Sequence, residues 1–248
     1  MKIVLCGKGG CGKSTLSALL AREYERMGKH VLVVDMDESN FGLYRQLGAE
    51  LPEDMTHFFG SKKGVYKILD SENSNGNPFP ERWGINDIPA DFSSTSGGIR
   101  LVAIGKIHEA GEGCACAMGT VAKTFLMNLD LGKDDITIVD SEAGVEHFGR
   151  GVDREADVII AVIDPSFESI QLSSKIYEMG RSFGKPVCFI INKATAEQAE
   201  VVKSAITHPE AVIGYLPVNQ QILMQGLKGE ALTIAPAEVQ VICQRILL

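Results

Sequence analysis

The sequence predicts an α/β fold in which a doubly wound, mostly parallel sheet carries helices on both faces. Short continuous apolar runs recur along the 248 residues, and such runs are typical of strands buried on both sides. Stretches with helical spacing of apolar residues separate these runs. A glycine-rich turn joins the first strand to the first helix, where strand-helix-strand units bind their ligands.

The first predicted unit covers the amino-terminal part of the chain. Residues 2–6 form a buried strand, and residues 14–27 form a helix that ends at Gly28, a common helix terminator. Residues 30–35 form a second apolar strand. A helix between two continuous apolar strands predicts that the strands are parallel.

The later elements alternate in the same way. Predicted strands cover residues 99–104, 136–140, 158–164, 187–192 and 212–216, and predicted helices cover residues 120–131, 166–183, 195–206, 218–227 and 236–248. Residues from about 52 to 98 lack apolar periodicity, so we expect an irregular excursion with at most a short helix near 65–69. We expect one domain over residues 1–248.

Composition limits the classes of function. The chain has 32 acidic and 24 basic residues, a net charge of −8, and no apolar run as long as a membrane span. This balance argues against nucleic-acid and membrane partners. No signal peptide precedes the first strand, so we expect a cytoplasmic protein whose six cysteines are core residues or metal ligands.

The turn after the first strand has the spacing of a phosphate-binding loop, G-x-x-x-x-G-K-[ST]. Glycines let backbone N–H groups approach phosphate oxygens, and the following helix adds a partial positive charge. We expect Lys13 to reach the β- and γ-phosphates and the Ser14 hydroxyl to bind Mg²⁺. The expected nucleotide contacts of this loop are Gly7, Lys8, Gly9, Gly10, Cys11, Gly12, Lys13, Ser14 and Thr15.

Carboxylates follow two other predicted strands. We expect Asp35 and Asp140 near Mg²⁺, and Asp37 to position the attacking water or act as a base. Each aspartate alone could instead cap a helix. Gly144 would let the backbone approach the γ-phosphate and respond to its loss.

A base pocket is expected at the ends of the last strands. Asn192, followed by Lys193, could read the adenine edge through its amide or simply cap the next helix. The opposite wall is expected to contain Leu216, Pro217 and Val218.

Lys8 is a second lysine in a loop that needs only one. Lys13 and the backbone amides already serve the phosphates of the same chain. Lys8 is therefore either a solvated side chain or a group that crosses a two-fold interface and neutralises transition-state charge on the partner's nucleotide. The catalytic candidates are Lys8, Lys13 and Asp37, and the second alternative makes a homodimer the working unit.

Cys114 and Cys116 form a second candidate site. Two cysteines at i and i+2 of an extended segment point the same way, so both thiols can reach one ion. Two ligands do not close a tetrahedral site, but a two-fold dimer supplies two more. Four thiolates suit Zn²⁺, Ni²⁺ or an iron–sulfur cluster. The alternative is a pair of small buried residues.

The segment from Lys8 to Thr15 resembles the deviant Walker A loop of the family that contains nitrogenase iron protein and the partitioning ATPases of the division-site and chromosome type. The Asp35-Met36-Asp37 stretch resembles its first switch, and residues 140–144 resemble its second. The resemblance implies a P-loop NTPase fold in which ATP closes a dimer and hydrolysis releases it.

A finer resemblance is to the CooC-type ATPases that mature nickel-dependent carbon monoxide dehydrogenase. It includes the deviant loop, the C-x-C pair and residues 142–151. It implies a metallochaperone that uses ATP, ADP and Mg²⁺, binds Ni²⁺ or Zn²⁺ across its dimer, and delivers nickel to a metalloenzyme client, carbon monoxide dehydrogenase. The alternatives are an iron–sulfur electron-transfer ATPase like nitrogenase iron protein, and a partitioning or positioning ATPase.

Overall fold

The computed structural model describes residues 1–60, 64–65, 79, 82–107 and 116–248. The strands are β1 (Lys2–Gly7), β2 (His30–Asp35), β3 (Ser94–Ser96), β4 (Ile99–Ala103), β5 (Asp135–Asp140), β6 (Val158–Ile163), β7 (Val187–Asn192) and β8 (Val212–Leu216). In the described part of the chain they form one eight-stranded sheet, ordered β3-β4-β2-β5-β1-β6-β7-β8. Only the β3–β4 pair is antiparallel among them, so the predicted fold class is confirmed.

The helices lie between the strands as the apolar pattern predicts. They are α1 (Lys13–Arg26), α2 (Leu43–Leu47), α3 (Met55–Phe58), α4 (Cys116–Asn128), α5 (Glu146–Arg150), α6 (Phe167–Ser182), α7 (Ala196–Ala205), α8 (Gln220–Lys228) and α9 (Ala237–Ile246). Short 3-10 turns cover Ile85–Asp87, Ala90–Phe92, Val152–Glu155 and Pro209–Ala211. The start predicted for α4 at Thr120 is wrong. The helix begins at Cys116, and Gly119 lies inside its first turns and not before its start.

Apolar side chains fill both faces of the sheet. On one face, Leu20 of α1 and Ile242 of α9 are buried against the strands. On the other, Phe125 of α4 and Ile176 of α6 are buried. Each such side chain contributes about 1.5–3 kcal/mol by leaving water. Among the described residues, no helix combines the length and the apolar character that crossing a bilayer requires.

The described residues between 52 and 98 are less irregular than predicted. Strand β3 adds their last part to the sheet edge, and residues 64–65 are helical, while 66–69 lie outside the described residues. A cluster of contacting rings packs this stretch onto α4; its members are Phe58, Phe59, Phe79, Trp83 and Phe125. Scattered aromatic residues bury much area without any periodicity, which is why the sequence pattern missed the packing.

Free thiols outside the predicted two-cysteine site occur at Cys6, Cys11, Cys188 and Cys243. Cys6, Cys11 and Cys243 are fully buried and Cys188 is half-buried. Burial raises the pKa of Cys11 to about 11. Of the two roles expected for cysteines, packing is the one that these four fill, since a neutral buried thiol behaves as a small apolar side chain.

Candidate functional site

The loop between β1 and α1 has a backbone that glycine adopts most easily. Gly7, Gly10 and Gly12 have φ values of 142°, 79° and 100°, a region that disfavours side chains. A Cβ at Gly12 would also lie under 3.0 Å from the Asn192 amide nitrogen. Helix α1 starts at Lys13 without a side-chain cap, so N–H groups of its first turn remain for an anion. This geometry fits a phosphate group.

Lys13 and Ser14 begin α1 beside this loop. The Lys13 ammonium lies 3.3 Å from the Gly7 carbonyl oxygen and 3.5 Å from that of Lys8. The Ser14 hydroxyl donates to Asp140 Oδ2 at 2.6 Å. A hydroxyl that donates to a carboxylate keeps its oxygen as an acceptor, and the lone pair that the Asn40 amide does not use can bind a cation such as Mg²⁺. The fold thus brings together a lysine, a hydroxyl and a carboxylate from two distant parts of the sequence.

Asp140 is fully buried at the carboxyl end of β5. Burial raises the pKa of its carboxyl to about 6, and the Ser14 hydrogen bond, the Lys13 charge and the Ser17 hydrogen bond oppose that shift. These three contacts favour the ionised carboxylate. A divalent cation beside it would favour the ionised form further.

The first switch segment (residues 35–40) gives its two aspartates different surroundings. Asp35, expected near Mg²⁺, is almost fully buried and its Oδ2 lies 2.7 Å from the Lys106 ammonium. Asp37 is half-buried, and its Oδ1 accepts from the backbone N–H of Ser39 at 3.0 Å. The Asp35 charge is already compensated within the chain. Asp37 lies closer to solvent and keeps a carboxylate that a water molecule can reach.

Sequence reasoning missed two residues at this switch. Asn40 donates from its amide to the Ser14 hydroxyl at 2.6 Å. Lys106 is fully buried just beyond β4. No local signal identifies either one, because an asparagine and a lysine in loops are usually solvated. The only sequence signal is that both residues follow the carboxyl ends of strands, where Asp35 and Asp140 also lie.

The second switch segment (residues 140–151) contacts the phosphate loop. The Gly144 N–H donates to the Gly7 carbonyl oxygen at 3.0 Å, and Gly144 has a φ of 88°. The amide expected at a γ-phosphate is therefore bound to the loop in this state. A phosphate group would have to replace that carbonyl as the acceptor.

The same segment also packs on α4. Arg150 pairs with Glu142 within the segment. A Cβ added at Gly119 of α4 would lie 3.1 Å from the Arg150 Cβ and closer still to its Cδ. Only glycine therefore fits at this crossing of α4 and the second switch.

A buried histidine–aspartate pair lies where the second switch segment meets the 3-10 turn Val152–Glu155. His147 Nε2 lies 3.4 Å from Asp153 Oδ1, and both side chains are fully buried. Burial lowers the pKa of His147 to about 3 and raises that of Asp153 to about 7. Both shifts favour the neutral forms, so His147 is a packed side chain and not an accessible ligand.

Lys8 contacts its own chain in this state. Its ammonium donates to the Ser166 hydroxyl at 2.9 Å and lies 3.7 Å from Asp164 Oδ2 and 3.8 Å from Glu168 Oε2. Burial opposes ionisation of Asp164, but hydrogen bonds from Ser166 and Ser169 and the Lys8 charge hold its pKa below the usual value. The Lys8 side chain is about one-third exposed, at 34%, so it lies at the surface and not inside the phosphate loop.

A pocket of about 420 Å³ lies beside α1 at the carboxyl ends of β7 and β8. The expected base-site residues line it together with Thr15 of the phosphate loop; they are Asn192, Lys193, Leu216, Pro217 and Val218. The structure thus brings together two segments that the sequence analysis placed on opposite walls. The pocket is continuous with α1, so a base there would lie next to the phosphate loop.

Asn192 and Lys193 also hold that loop. The Asn192 amide donates to the Cys11 carbonyl oxygen at 2.8 Å, and the Lys193 ammonium donates to the Gly10 carbonyl oxygen at 2.7 Å. Lys193 adopts a φ of 58°, unusual for a residue with a side chain. With its amino group engaged, Asn192 offers its amide oxygen to a base.

The expected two-cysteine metal site lies largely outside the described residues. Cys114 is not described, and Cys116 begins α4, so the i, i+2 spacing does not continue as an extended strand through Cys116. Within the described residues, no group of three or more histidine, cysteine, aspartate or glutamate side chains has the geometry of a metal site.

Comparisons with known proteins give the family. A profile of the CobQ/CobB/MinD/ParA nucleotide-binding domain, CbiA, matches residues 2–232. An uncharacterized ATP-binding protein of Methanocaldococcus jannaschii is 45% identical over 243 residues, which are 97% of each chain. The carbon monoxide dehydrogenase accessory protein CooC of Rhodospirillum rubrum is 34% identical over 201 residues, covering 78% of this chain and 74% of CooC.

Solved structures share the fold at low identity. The septum site-determining protein MinD of Pyrococcus horikoshii, complexed with Mg-ADP, has a TM-score of 0.66 and 16% identity, covering 99% of this chain and 95% of that one. A ParA family ATPase of Chlorobium tepidum has a TM-score of 0.65 and 18% identity, covering 99% and 97%. At such identities the likeness establishes the fold alone.

Proposed function

Because the chain belongs to the CobQ/CobB/MinD/ParA family of nucleotide-binding domains, we propose that it is a dimerising ATPase that supports nickel insertion into a metalloenzyme. The observation that carries the ATPase proposal is the Ser14–Asp140 hydrogen bond of 2.6 Å beside an uncapped helix start. The similarity to CooC supports carbon monoxide dehydrogenase as the client.

The proposed reaction is hydrolysis of ATP to ADP. A water oxygen bonds to the γ-phosphorus, the bond to the bridging oxygen of ADP breaks, and both water protons leave with the product as dihydrogen phosphate. Ser14, with Asp140 behind it, would hold Mg²⁺, which would supply positive charge to the phosphate groups. Lys13 stabilises the phosphoryl oxygens, and Asp37 orients the water.

Adenine is the base that the pocket favours. Asn192 has its amino group bound to the loop, which leaves an amide oxygen for the exocyclic amine of adenine. Among the described residues that line the pocket there is no carboxylate. Guanine presents two donors on its pairing edge, and a carboxylate is the usual acceptor for them. The lining thus supports ATP over GTP.

The proposed dimer uses Lys8. In the single chain its ammonium is held by a hydroxyl and two carboxylates at 2.9–3.8 Å. Surface contacts of this kind contribute only about 0–1 kcal/mol, so a bound phosphate across an interface can replace them. We propose that Lys8 leaves Ser166 and Asp164 when two chains meet face to face and reaches the partner's nucleotide.

The metal proposal concerns Cys114 and Cys116. A dimer would bring two such pairs together and complete a four-thiolate site for Ni²⁺ or Zn²⁺. The start of α4 also supplies a partial positive charge that favours thiolates. Metal affinity would then depend on dimerisation, and dimerisation on ATP, which is how hydrolysis would release nickel to a client. Reduced thiols of this kind fit the expected cytoplasmic setting.

Hydrolysis is tested first by steady-state phosphate release with Mg²⁺. Lys13→Ala should lower kcat by at least about a hundredfold, because the lysine acts on the transferring phosphoryl group. Lys133 is exposed just before the amino end of β5, at the opposite end of the strands from the phosphate loop. Lys133→Ala is therefore the matched control and should retain wild-type kcat. Equal rates for wild type and Lys13→Ala would refute the ATPase proposal.

The dimer is tested by sedimentation with a slowly hydrolysed ATP analogue. Lys8→Ala should stay monomeric where the wild type dimerises and should lose at least about tenfold in kcat, while ADP affinity of the single chain stays unchanged. A Lys8→Ala protein that dimerises and turns over normally would leave the lysine as a surface group.

The metal site is tested by metal analysis after anaerobic purification with ADP and with the ATP analogue. Wild type should hold one Ni²⁺ or Zn²⁺ per dimer, and Cys114→Ala/Cys116→Ala should hold none. Cys188→Ala, a half-buried thiol on β7, is the matched control. Stoichiometric metal in the double variant would refute the site, and iron with sulfide in the wild type would establish the electron-transfer alternative.

A further inference from the structure

Lys106 is a fully buried lysine that the proposed reaction does not use. It lies just beyond β4, and its side chain has 0% exposure. An ammonium group in such a place is unfavourable unless acceptors surround it. Its acceptors therefore show what the residue does.

Three acceptors at short distance come from one segment. The Lys106 ammonium donates to Asp35 Oδ2 at 2.7 Å, to the Asp37 carbonyl oxygen at 2.5 Å and to the Asn40 carbonyl oxygen at 2.6 Å. An ammonium has three protons, and these bonds can use all of them. Each acceptor belongs to the first switch segment, residues 35–40.

The backbone around Lys106 adds to this attachment. The Ile107 N–H donates to the Glu38 carbonyl oxygen at 3.1 Å. Lys106 and Ile107, in the short stretch that follows β4, thus bind the first switch segment at four of its residues: Asp35, Asp37, Glu38 and Asn40. The other bonds of the segment include the Met36 N–H to the Asp140 carbonyl oxygen at 3.0 Å, the Asn40 amide to Ser14 Oγ at 2.6 Å, and local turns such as Ser39 N–H to Asp37 Oδ1 at 3.0 Å.

The segment carries groups of the phosphate site. Asn40 donates from its amide to Ser14 Oγ at 2.6 Å, and Ser14 donates to Asp140 at 2.6 Å. Asp37 is the carboxylate proposed to orient water. The position of these groups depends on the backbone carbonyls that Lys106 holds, although Lys106 itself contacts neither the phosphate loop nor Ser14 through the bonds described.

We propose that Lys106 is a positioning residue that holds the first switch segment at the phosphate site, and so sets Asp37 and Asn40 for the reaction. The proposal rests on the ATP hydrolysis proposed above. Removing the ammonium releases two carbonyls of the segment while the phosphate loop stays intact. Hydrolysis should then suffer more than nucleotide binding, because ADP is bound mainly by the loop and the helix start.

A purely structural ion pair is the competing explanation. Lys106→Met alone leaves the Asp35 carboxylate buried without its partner, which destabilises proteins. Asp35→Asn/Lys106→Met removes both charges and keeps both side-chain shapes. Asp35→Asn alone keeps the lysine on the two carbonyl oxygens and is the matched control.

The test is hydrogen exchange by mass spectrometry on the nucleotide-free full chain. In Asp35→Asn/Lys106→Met, amides of residues 37–42 should exchange at least about tenfold faster than in Asp35→Asn. Peptides of α1 and β5 should match between the two variants. Exchange at 37–42 that matches the control would overturn the proposal, and so would equal acceleration throughout the sheet.

A kinetic measurement separates positioning from support of the fold. Lys106→Met, assayed below its melting transition, should lower kcat by at least about tenfold and change the ADP Kd by less than about threefold. Parallel losses in both quantities would mark a structural role and overturn the proposal. If the wild type hydrolyses no ATP, the ATPase proposal fails, while the exchange experiment still decides whether Lys106 holds the switch.

Discussion

Gly119→Ala should destabilise the protein although it adds a helix-favouring residue. Alanine in place of glycine inside a helix usually stabilises by about 1 kcal/mol. Gly119 is in α4, but a Cβ there would lie 3.1 Å from the Cβ and Cγ of Arg150 and closer to its Cδ. Atoms so near the Arg150 backbone cannot move away by rotating only the end of the side chain.

The cost comes from what Arg150 does. The guanidinium pairs with Glu142, and the two side chains are only 22% and 14% exposed. Displacing Arg150 would lose a charged hydrogen bond of about 1.5–3 kcal/mol, which exceeds the helix gain. We expect a net loss of about 1 kcal/mol, or roughly 2–4 °C in Tm for a chain of this size.

Gly149→Ala is the matched control. Gly149 is also helical, in α5, and a Cβ there would meet nothing within 4 Å. It should keep or raise the stability, by up to about 1 kcal/mol. Urea unfolding of the three proteins measures the difference, and a Gly119→Ala protein as stable as Gly149→Ala would refute the contact between α4 and the second switch.

Three further predictions concern the phosphate loop, the magnesium site and the buried pair. Gly12→Ala should weaken ADP binding by at least about tenfold more than Gly10→Ala. Both glycines have positive φ, but of the two only Gly12 lacks room for a Cβ. Equal Kd values by calorimetry would contradict this. Ser14→Ala should remove the Mg²⁺ dependence of ADP affinity, because the hydroxyl on Asp140 supplies a cation ligand; an unchanged Mg²⁺ titration would exclude that role. Asp153→Asn should stabilise the protein by at least about 1 kcal/mol at pH 8, and the gain should shrink as the pH falls below 7 and vanish only near 3.8. Burial raises the folded-state pKa of Asp153 to about 7 from its ordinary 3.8, so between these values the folded chain keeps a proton that the unfolded chain has lost, and the stability of the wild type falls as the pH rises through this window. Unfolding curves with a constant difference between pH 5 and pH 8 would refute this.

The aromatic packing of the described residues between 52 and 98 is a contact that apolar periodicity cannot predict. Apolar periodicity identifies strands and helices because each repeats one backbone geometry. Phe58, Phe79 and Trp83 meet without any repeat in the chain. Their contacts depend on where β4 and α4 place the two ends of the stretch, which the pattern does not contain.

The phosphate loop and the carboxylates at strand ends could be predicted from sequence alone. The residues from Gly7 to Ser14 are contiguous, so their spacing already dictates the turn, and a polar residue after a buried strand must lie at the sheet edge. That is why Ser14 and Asp140 meet as the order of elements suggests. The sequence also determined the fold class, because alternating strands and helices leave few ways to cover a parallel sheet.

Only the tertiary structure decided which charges meet. Asp35 and Asp37 look alike in sequence, but Lys106, far along the chain, compensates the first and leaves the second near solvent. Likewise Lys8 is a surplus loop lysine by its motif, whereas the fold gives it Ser166 and two carboxylates of its own chain. Such pairings join separate segments at distances of a few ångströms, and Coulomb and hydrogen-bond energies change steeply over that range. Sequence spacing determines the chemistry available at the sheet edge, and three-dimensional distance determines which groups use it.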